Sequence, residues 1–385
     1  MKKFLSVLLA ISMVISGVAF ATACNGNPPD DDGQTQGSNG TTGNTGNDGT
    51  TDNSGTTGSN DEKATSGEIT VYTALEDDNV TEYLAEFAKS YPNIKVNIVR
   101  DSTGVITSRL IAEQNNPVAD LVWGTAASSL LILDEMGMLE PYLPVGVDKI
   151  LPQFKSDKST PTWVGNNAWE TVFVVNTVEL AKLGLSASDI KGYQDLLRPE
   201  LKGHVVMPNP ASSGTGLLTV TALLQLYGRD TEAGWDYLTA LHENVMQYTH
   251  SGSKPAVMAG SGECTIGLSF GFRSIRVKNE GAPVEIIFPE EGSGWDLEAN
   301  ALMKKDSVNP AAKTFLDWAI SDDAMNLYAK SYPIVTNGNV STYSGFPDMD
   351  PVEQLIENDL AWIASNRENI LNKWTAAYDG KSEQR

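Results

Sequence analysis

Residues 68–124 read EITVYTALEDDNVTEYLAEFAKSYPNIKVNIVRDSTGVITSRLIAEQNNPVADLVWG, and their periodicity decides the fold. Glu68–Thr73 is a strand-like run, and Asp77–Ser90 then carries Val80, Tyr83, Leu84 and Phe87 at helical spacing. Ile94–Val99 reads as a second strand, Ile106–Gln114 as a helix, and Asp120–Trp123 as a short buried strand ending at Gly124. Ala126–Met136 is helical and stops at Gly137. This β-α-β-α-β-α order implies a mostly parallel sheet with helices on both faces.

Toward the C-terminus the same alternation returns without a repeat of sequence. Thr171–Asn176, His204–Met207, Val245–Thr249, Thr265–Phe270 and Val284–Phe288 read as strands, and Ser213–Tyr227 as a helix closed by Gly228. Ala311–Lys330 and Pro351–Tyr378 read as long helices. Two α/β lobes with a cleft between them are the natural assembly. Ligands of such sheets bind beyond the carboxyl ends of the strands, so the strand-end loops are where a site belongs.

Toward the N-terminus, Lys2 and Lys3 precede an apolar run from Phe4 to Phe20 and then Ala21-Thr22-Ala23-Cys24. This is the tripartite pattern of a secretory signal, too short and wrongly flanked for a membrane span. Small residues ahead of a cysteine resemble the lipobox of bacterial lipoproteins, although Ala21 stands where Leu is usual. Residues 1–23 are thus expected to be a signal peptide, with Cys24 lipidated. Residues 24–66 are expected to be a disordered tether, because their Gly, Thr, Asn, Ser and Asp cannot bury enough apolar area to offset the entropy of ordering. About 40 flexible residues span roughly 35 Å, enough to hold a domain off the outer face of the cytoplasmic membrane.

Composition narrows the function. The 385 residues carry a formal net charge of −22, which disfavours nucleic acid as a partner and leaves the lipid anchor as the membrane contact. Two cysteines, Cys24 and Cys264, make no disulfide framework, and three His without HExxH spacing make no metal centre. No GxSxG or P-loop is present, so an enzyme is not expected and no cofactor is called for.

Three strand-end loops are dense in hydroxyls and glycine: Arg100–Gly104, Asn209–Gly216 and His250–Lys254. Any one of them is ordinary capping chemistry. Three at strand ends suit one tetrahedral oxyanion, with helix N-termini supplying N–H groups and Ser102, Thr103, Ser213, Thr215, Ser251 and Ser253 supplying neutral donors. Gly214 lets the backbone come close. Trp123 closes a strand, and Trp295 beside Asp296 lies in a Gly-rich stretch. These three are the candidates for pocket wall and for holding a ligand amine.

ITVYTALEDD at 69–78, VRDSTGVITSRLIAEQNNPVADLVWG at 99–124, MLEPY at 138–142, VMPNPASSGTG at 206–216, QYTHSGSKP at 247–255 and GWDLEA at 294–299 together resemble type II periplasmic binding proteins of the ferric-ion and polyamine group. They are most similar to the 2-aminoethylphosphonate-binding components of ABC transporters. The resemblance implies a two-lobed α/β Venus-flytrap with a ligand cleft, the phosphonate held by the hydroxyl loops, and delivery to an ABC permease in the membrane. It divides the chain into lobe 1 at 67–168, lobe 2 at 169–296 and a return to lobe 1 at 297–385. Glu170 departs from the apolar residue that such proteins carry after the Trp.

Ferric ion and other phosphorylated solutes are the alternative ligands for this fold. Hard iron calls for paired phenolates after the strand Thr265–Phe270, where this chain has Phe270-Gly271-Phe272-Arg273. A wall-associated adhesin is favoured by the tether alone, and a well-formed core with three anion-suited loops argues against it.

Overall fold

The computed structural model describes residues 64–337 and 350–384; the expected signal, Cys24 and nearly all of the expected tether lie outside them. The chain enters through β1 (Ser66–Thr73), α1 (Asp77–Ser90), β2 (Asn93–Arg100), α2 (Thr103–Ala112), β3 (Leu121–Ala126) and α3 (Ala127–Glu135). β1 pairs in parallel with β2 on one side and β3 on the other. Each strand turns directly into a helix, so the N-termini of α1, α2 and α3 gather at one edge of the sheet. The first strand begins at Ser66, one residue inside the expected tether.

After β4 (Leu139–Glu140), the fully buried β5 (Val164–Asn176) runs through both lobes. Its first half pairs antiparallel with β10 (Trp295–Met303) and β11 (Ile334–Val335), its second half with β8 (Ile266–Phe270) and β9 (Val284–Ile287). Between them lie α4 (Thr177–Lys182), β6 (Val205–Pro208), α5 (Gly214–Tyr227), α6 (Ala233–Asn244), β7 (Val245–Thr249), α7 (Lys254–Ser261) and α8 (Gly271–Asn279). β6 is parallel to both β7 and β8.

The strand order is β2-β1-β3-β10-β5-β8-β6-β7. The expected parallel sheet is present on the two flanks and is corrected at the centre, where β10, β5 and β8 alternate in direction. A chain that leaves one lobe along β5 and returns along β10 lays its crossing strands head to tail.

The apolar faces collect in separate clusters on the two sides. In the first lobe Trp123 meets Phe315 and Trp318 near edge-on, with ring centroids 5.2 and 6.1 Å apart. In the second, Phe173, Leu223, Tyr237, Tyr248 and Trp374 pack together. Edge-to-face pairs add about 0.5–1.5 kcal/mol each beyond their buried area, which helps fix the strands whose ends carry the site.

Two expectations for the C-terminal part are corrected. The single helix read over Ala311–Lys330 is two, α9 (Pro310–Ala319) and α10 (Asp322–Tyr328). Ser321 starts the second by accepting from Ala324 N–H at 3.3 Å, and Asp322 and Asp323 favour the N-terminal dipole. The last helix, α11 (Leu360–Tyr378), starts well after Pro351, because Asp359 caps it through Trp362 N–H. This helix packs against α3 of the first lobe, while its Ile370, Trp374 and Tyr378 are buried in the second cluster. Arg229–Asp359 and Lys373–Glu232 ion pairs add to its hold on the second lobe.

Candidate ligand-binding site

The residues that cap α1, α2, α3, α5 and α8, namely Glu76, Ser102, Ala126, Ser213 and Phe270, all border one cavity between the lobes. Ser251 and Gly252, just ahead of α7, join them. Each helix N-terminus carries roughly half a positive charge and N–H groups that its own helix cannot pair. Several aimed at one space make a strong neutral-donor anion site without requiring a lysine.

The hydroxyls are arranged to donate. Ser213 Oγ accepts from Gly216 N–H at 3.3 Å, which leaves its O–H free to point at a ligand. Ser251 Oγ likewise accepts from Lys254 N–H at 3.3 Å. Ser102 caps α2 without a side-chain hydrogen bond to it, and Thr103, Gly214 and Thr215 complete the wall. The space open to the centre of a water-sized sphere is about 60 Å³, against roughly 10–15 Å³ for one water. That is room for a compact ligand.

Both lobes close on this space. Gly104 N–H donates to Ser212 O across the cleft at 3.0 Å, and a Cβ at Gly104 would overlap Ala211 O. A Cβ at Gly214 would sit 2.9 Å from Thr103 Oγ1. His250 Nε2 lies 3.5 Å from Asp101 Oδ1.

A second set of groups borders the same cavity: Glu298 from β10, Tyr332, the rings of Trp169 and Phe270, and the pair Arg100–Glu76. Arg100 Nη2 is 3.3 Å from Glu76 Oε2, and its Nε donates to Leu75 O at 3.0 Å. Tyr332 O–H donates to Glu298 Oε1 at 2.9 Å. Burial pushes the Glu298 carboxyl up to about 8, against the pull of Tyr332 and Asn167.

A model of the bacterial extracellular solute-binding protein family matches residues 82–351. The chain belongs to that family. An uncharacterized protein of Haemophilus influenzae is 33% identical over 315 residues, covering 80% of this chain and 90% of its own. The "Probable ABC transporter periplasmic-binding protein y4fP" of Sinorhizobium fredii is 26% identical over 65% of this chain and 69% of its own. Among solved structures, the periplasmic binding protein AfuA of Actinobacillus pleuropneumoniae, with fructose-6-phosphate bound, superposes with TM-score 0.75. It is 29% identical and covers 81% of this chain and 98% of its own. This chain is thus an extracytoplasmic solute-binding protein of an ABC transporter with the two-lobed type II fold. Among its described residues no helix is long and apolar enough to cross a membrane.

In this solute-binding protein the residues singled out from sequence divide into two groups. Ser102, Thr103, Ser213, Gly214, Thr215 and Ser251 come together at the cavity. Ser253 does not border it; it caps α7 and lies 3.4 Å from Ser251 Oγ, which it positions. Trp123 is corrected to the core: it is fully buried and its Nε1 donates to Tyr328 Oη at 3.1 Å. Trp295 lies elsewhere too, with its Nε1 donating to Ile356 O at 2.9 Å.

Asp296 is the most informative correction. Its carboxylate is buried against the start of α3, accepting from Ser128 O–H at 2.5 Å and from Leu297 N–H at 2.7 Å. It borders a smaller neighbouring space with Arg367. Burial pushes it up to about 6, partly offset by those donors. Glu298, two residues on and on the same face of the strand, takes the place at the cavity that Asp296 was expected to hold.

Arg100, Trp169, Glu298 and Tyr332 were not chosen from sequence. Arg100 ends a strand that runs into a hydroxyl loop already read, and Trp169 sits at a lobe crossing. For Glu298 and Tyr332 no local pattern exists; register alone places them.

Proposed function

We propose that this protein captures 2-aminoethylphosphonate, or a closely similar small phosphonate, as the lipid-anchored receptor of its importer. The observation that carries the reading is the convergence of the capping residues and donor hydroxyls on one small cavity. Neutral donors of this kind suit a tetrahedral oxyanion. AfuA, the same fold with a phosphate ester bound, supports a phosphorus oxyanion in the cleft. Iron is disfavoured by donor chemistry: β8 runs into Phe270 and Phe272, and among the described residues no cluster of three His, Cys, Asp or Glu is placed to hold a metal.

In this reading the hinge lies where β5 and β10 cross, at Trp169–Glu170 and Trp295–Asp296. Ligand binding favours the closed lobes, because only that state brings every donor to the anion. Thermal-shift and calorimetric titration of the soluble domain tests the ligand. 2-aminoethylphosphonate should stabilise it more than inorganic phosphate, fructose-6-phosphate or ferric citrate, and a clear preference for any of those replaces the phosphonate. Anchoring rests on the sequence before Cys24. Cys24→Ser should release the protein from membranes with ligand binding intact, and retention of that variant rejects the anchor.

A further inference from the structure

Two acids border the cavity, and the structure treats them differently. Glu76 is mostly buried, its side chain 25% exposed, and faces the Arg100 guanidinium. Glu298 has no cationic partner. Its Oε1 receives the Tyr332 hydroxyl. Its Oε2 is shielded from solvent and has no hydrogen-bond partner. Asn167, directly opposite in the β5–β10 register, lies near enough to lower the Glu298 pKa, yet neither of its side-chain polar atoms comes within full hydrogen-bond distance of a partner. Once ionised, a carboxylate takes about four hydrogen bonds, so the charged form has capacity for an arriving donor. A buried acceptor left in that state costs free energy until a donor arrives.

The surroundings specify the donor. The rings of Trp169 and Phe270 border the same space, with centroids 6.3 Å apart, and aromatic faces attract a desolvated cation. Among the described residues no lysine borders the cavity, and the one arginine that does is engaged by Glu76.

We propose that Glu298 is the cation-recognising residue of this site, accepting the ligand's ammonium group, with Tyr332 holding its carboxylate in place. The assignment rests on the reading of the cavity as an anion site and makes the ligand a zwitterion, with oxyanion and primary amine in one small molecule.

A proton is linked to this step. The groups facing Glu298 are Glu76, Tyr83, Tyr328 and Tyr332, with Arg100 in the same cavity. Of these, Glu76 raises its pKa and Tyr332 lowers it, while burial dominates. In the empty site the carboxyl therefore holds its proton at neutral pH, its pKa having been pushed up to about 8. An arriving ammonium favours the carboxylate, so the proton leaves to buffer as the ion pair forms.

The test is calorimetry at pH 7 in two buffers of different ionisation enthalpy. It uses 2-aminoethylphosphonate and ethylphosphonate on wild type and Glu298→Gln. Because the ammonium lowers the phosphonate's own pKa, each ligand is compared with itself on the two proteins. With the amine ligand wild type should release close to one proton more than Glu298→Gln, and with ethylphosphonate the two proteins should release the same number. The variant should lose roughly 10- to 100-fold in affinity for the amine ligand, the worth of a charge-assisted hydrogen bond, and much less for ethylphosphonate. Equal losses for both ligands, or no extra proton, overturn the role of Glu298 while leaving the anion site standing. Wild type that binds neither ligand overturns the anion reading, and the zwitterion with it. Stability of the empty protein gives a ligand-free check of the buried acid. Glu298→Gln should gain on wild type as pH rises from about 5 to 8, and a pH-independent difference rejects the protonated carboxyl.

Discussion

One set of cavity walls carries Ser102, Thr103, Ser213, Thr215 and Ser251, small side chains at helix starts. The other carries an acid without a cationic partner among the described residues, Glu298, held by one phenol, Tyr332. The hydroxyl wall is redundant: several neutral donors and helix dipoles share the work, each worth about 1 kcal/mol. The acidic wall is concentrated in one group that burial makes expensive to charge. In the proposed reading this difference gives the first wall affinity for an oxyanion in general and leaves the second to choose among oxyanions by what else they carry.

The strongest challenge to this comparison is to hold the two lobes apart, since the walls come from both. In Gly104→Val the added side chain would run into Ala211 O and Ser212 O, where Gly104 N–H now meets Ser212 O. Binding of every ligand should fall by about 100-fold or more, because overpacking at the contact costs roughly 1–3 kcal/mol and donors are lost with it. Near-wild-type affinity by calorimetry would show that the lobe contact is dispensable.

A smaller effect tests redundancy. Ser213→Ala with Thr215→Ala should cost at least about 2 kcal/mol, roughly 30-fold, and cost it equally for 2-aminoethylphosphonate and ethylphosphonate. A loss confined to the amine ligand would merge the two walls into one.

Glu170 separates burial from recognition. It is more deeply buried than Glu298, and burial likewise pushes it up to about 8, yet it does not border the cavity. Its carboxylate sits against Gly271, where a Cβ would overlap Oε1. The folded state keeps this proton up to about pH 8, whereas an unfolded glutamate releases it near pH 4.3. Folding stability is therefore lost as pH climbs through that interval. Glu170→Gln should be more stable than wild type at pH 8 by about 1–3 kcal/mol, with the gap closing toward pH 5 in thermal melts. Ligand selectivity should not move. A selectivity change would extend the acidic wall to the hinge.

The smallest expected effect belongs to Asp296→Asn. Whatever it costs the fold through Ser128, the ratio of affinities for the two phosphonates should stay within about 0.5 kcal/mol of wild type. A selective loss of the amine ligand would return the amine role to Asp296.

How far the site was legible depended on the kind of group. The hydroxyl wall could be read because a strand, a short Ser/Thr/Gly loop and a helix start are consecutive in sequence, and strand order alone brings such loops to one edge. Glu298 could not, because it sits in GWDLEA, where either acid fits a pocket on composition alone. Choosing between Asp296 and Glu298 requires knowing that β10 pairs Glu298 with Ala126 at the end of β3, which leaves Asp296 beyond it. Trp123 misled for a related reason: a Trp at a strand end looks like pocket wall until Phe315 and Trp318, far along the chain, are seen to enclose it.

Local order determined the α/β alternation, the two lobes and the loops at their mouths, since hydrophobic period and capping act over a few neighbours. Tertiary structure decided the antiparallel centre of the sheet, the seating of α11 against both α3 and the second cluster, and which carboxylate borders the cavity. Each of those turns on contacts between segments far apart in sequence, such as Glu298 with Asn167, whose pairing no local pattern encodes.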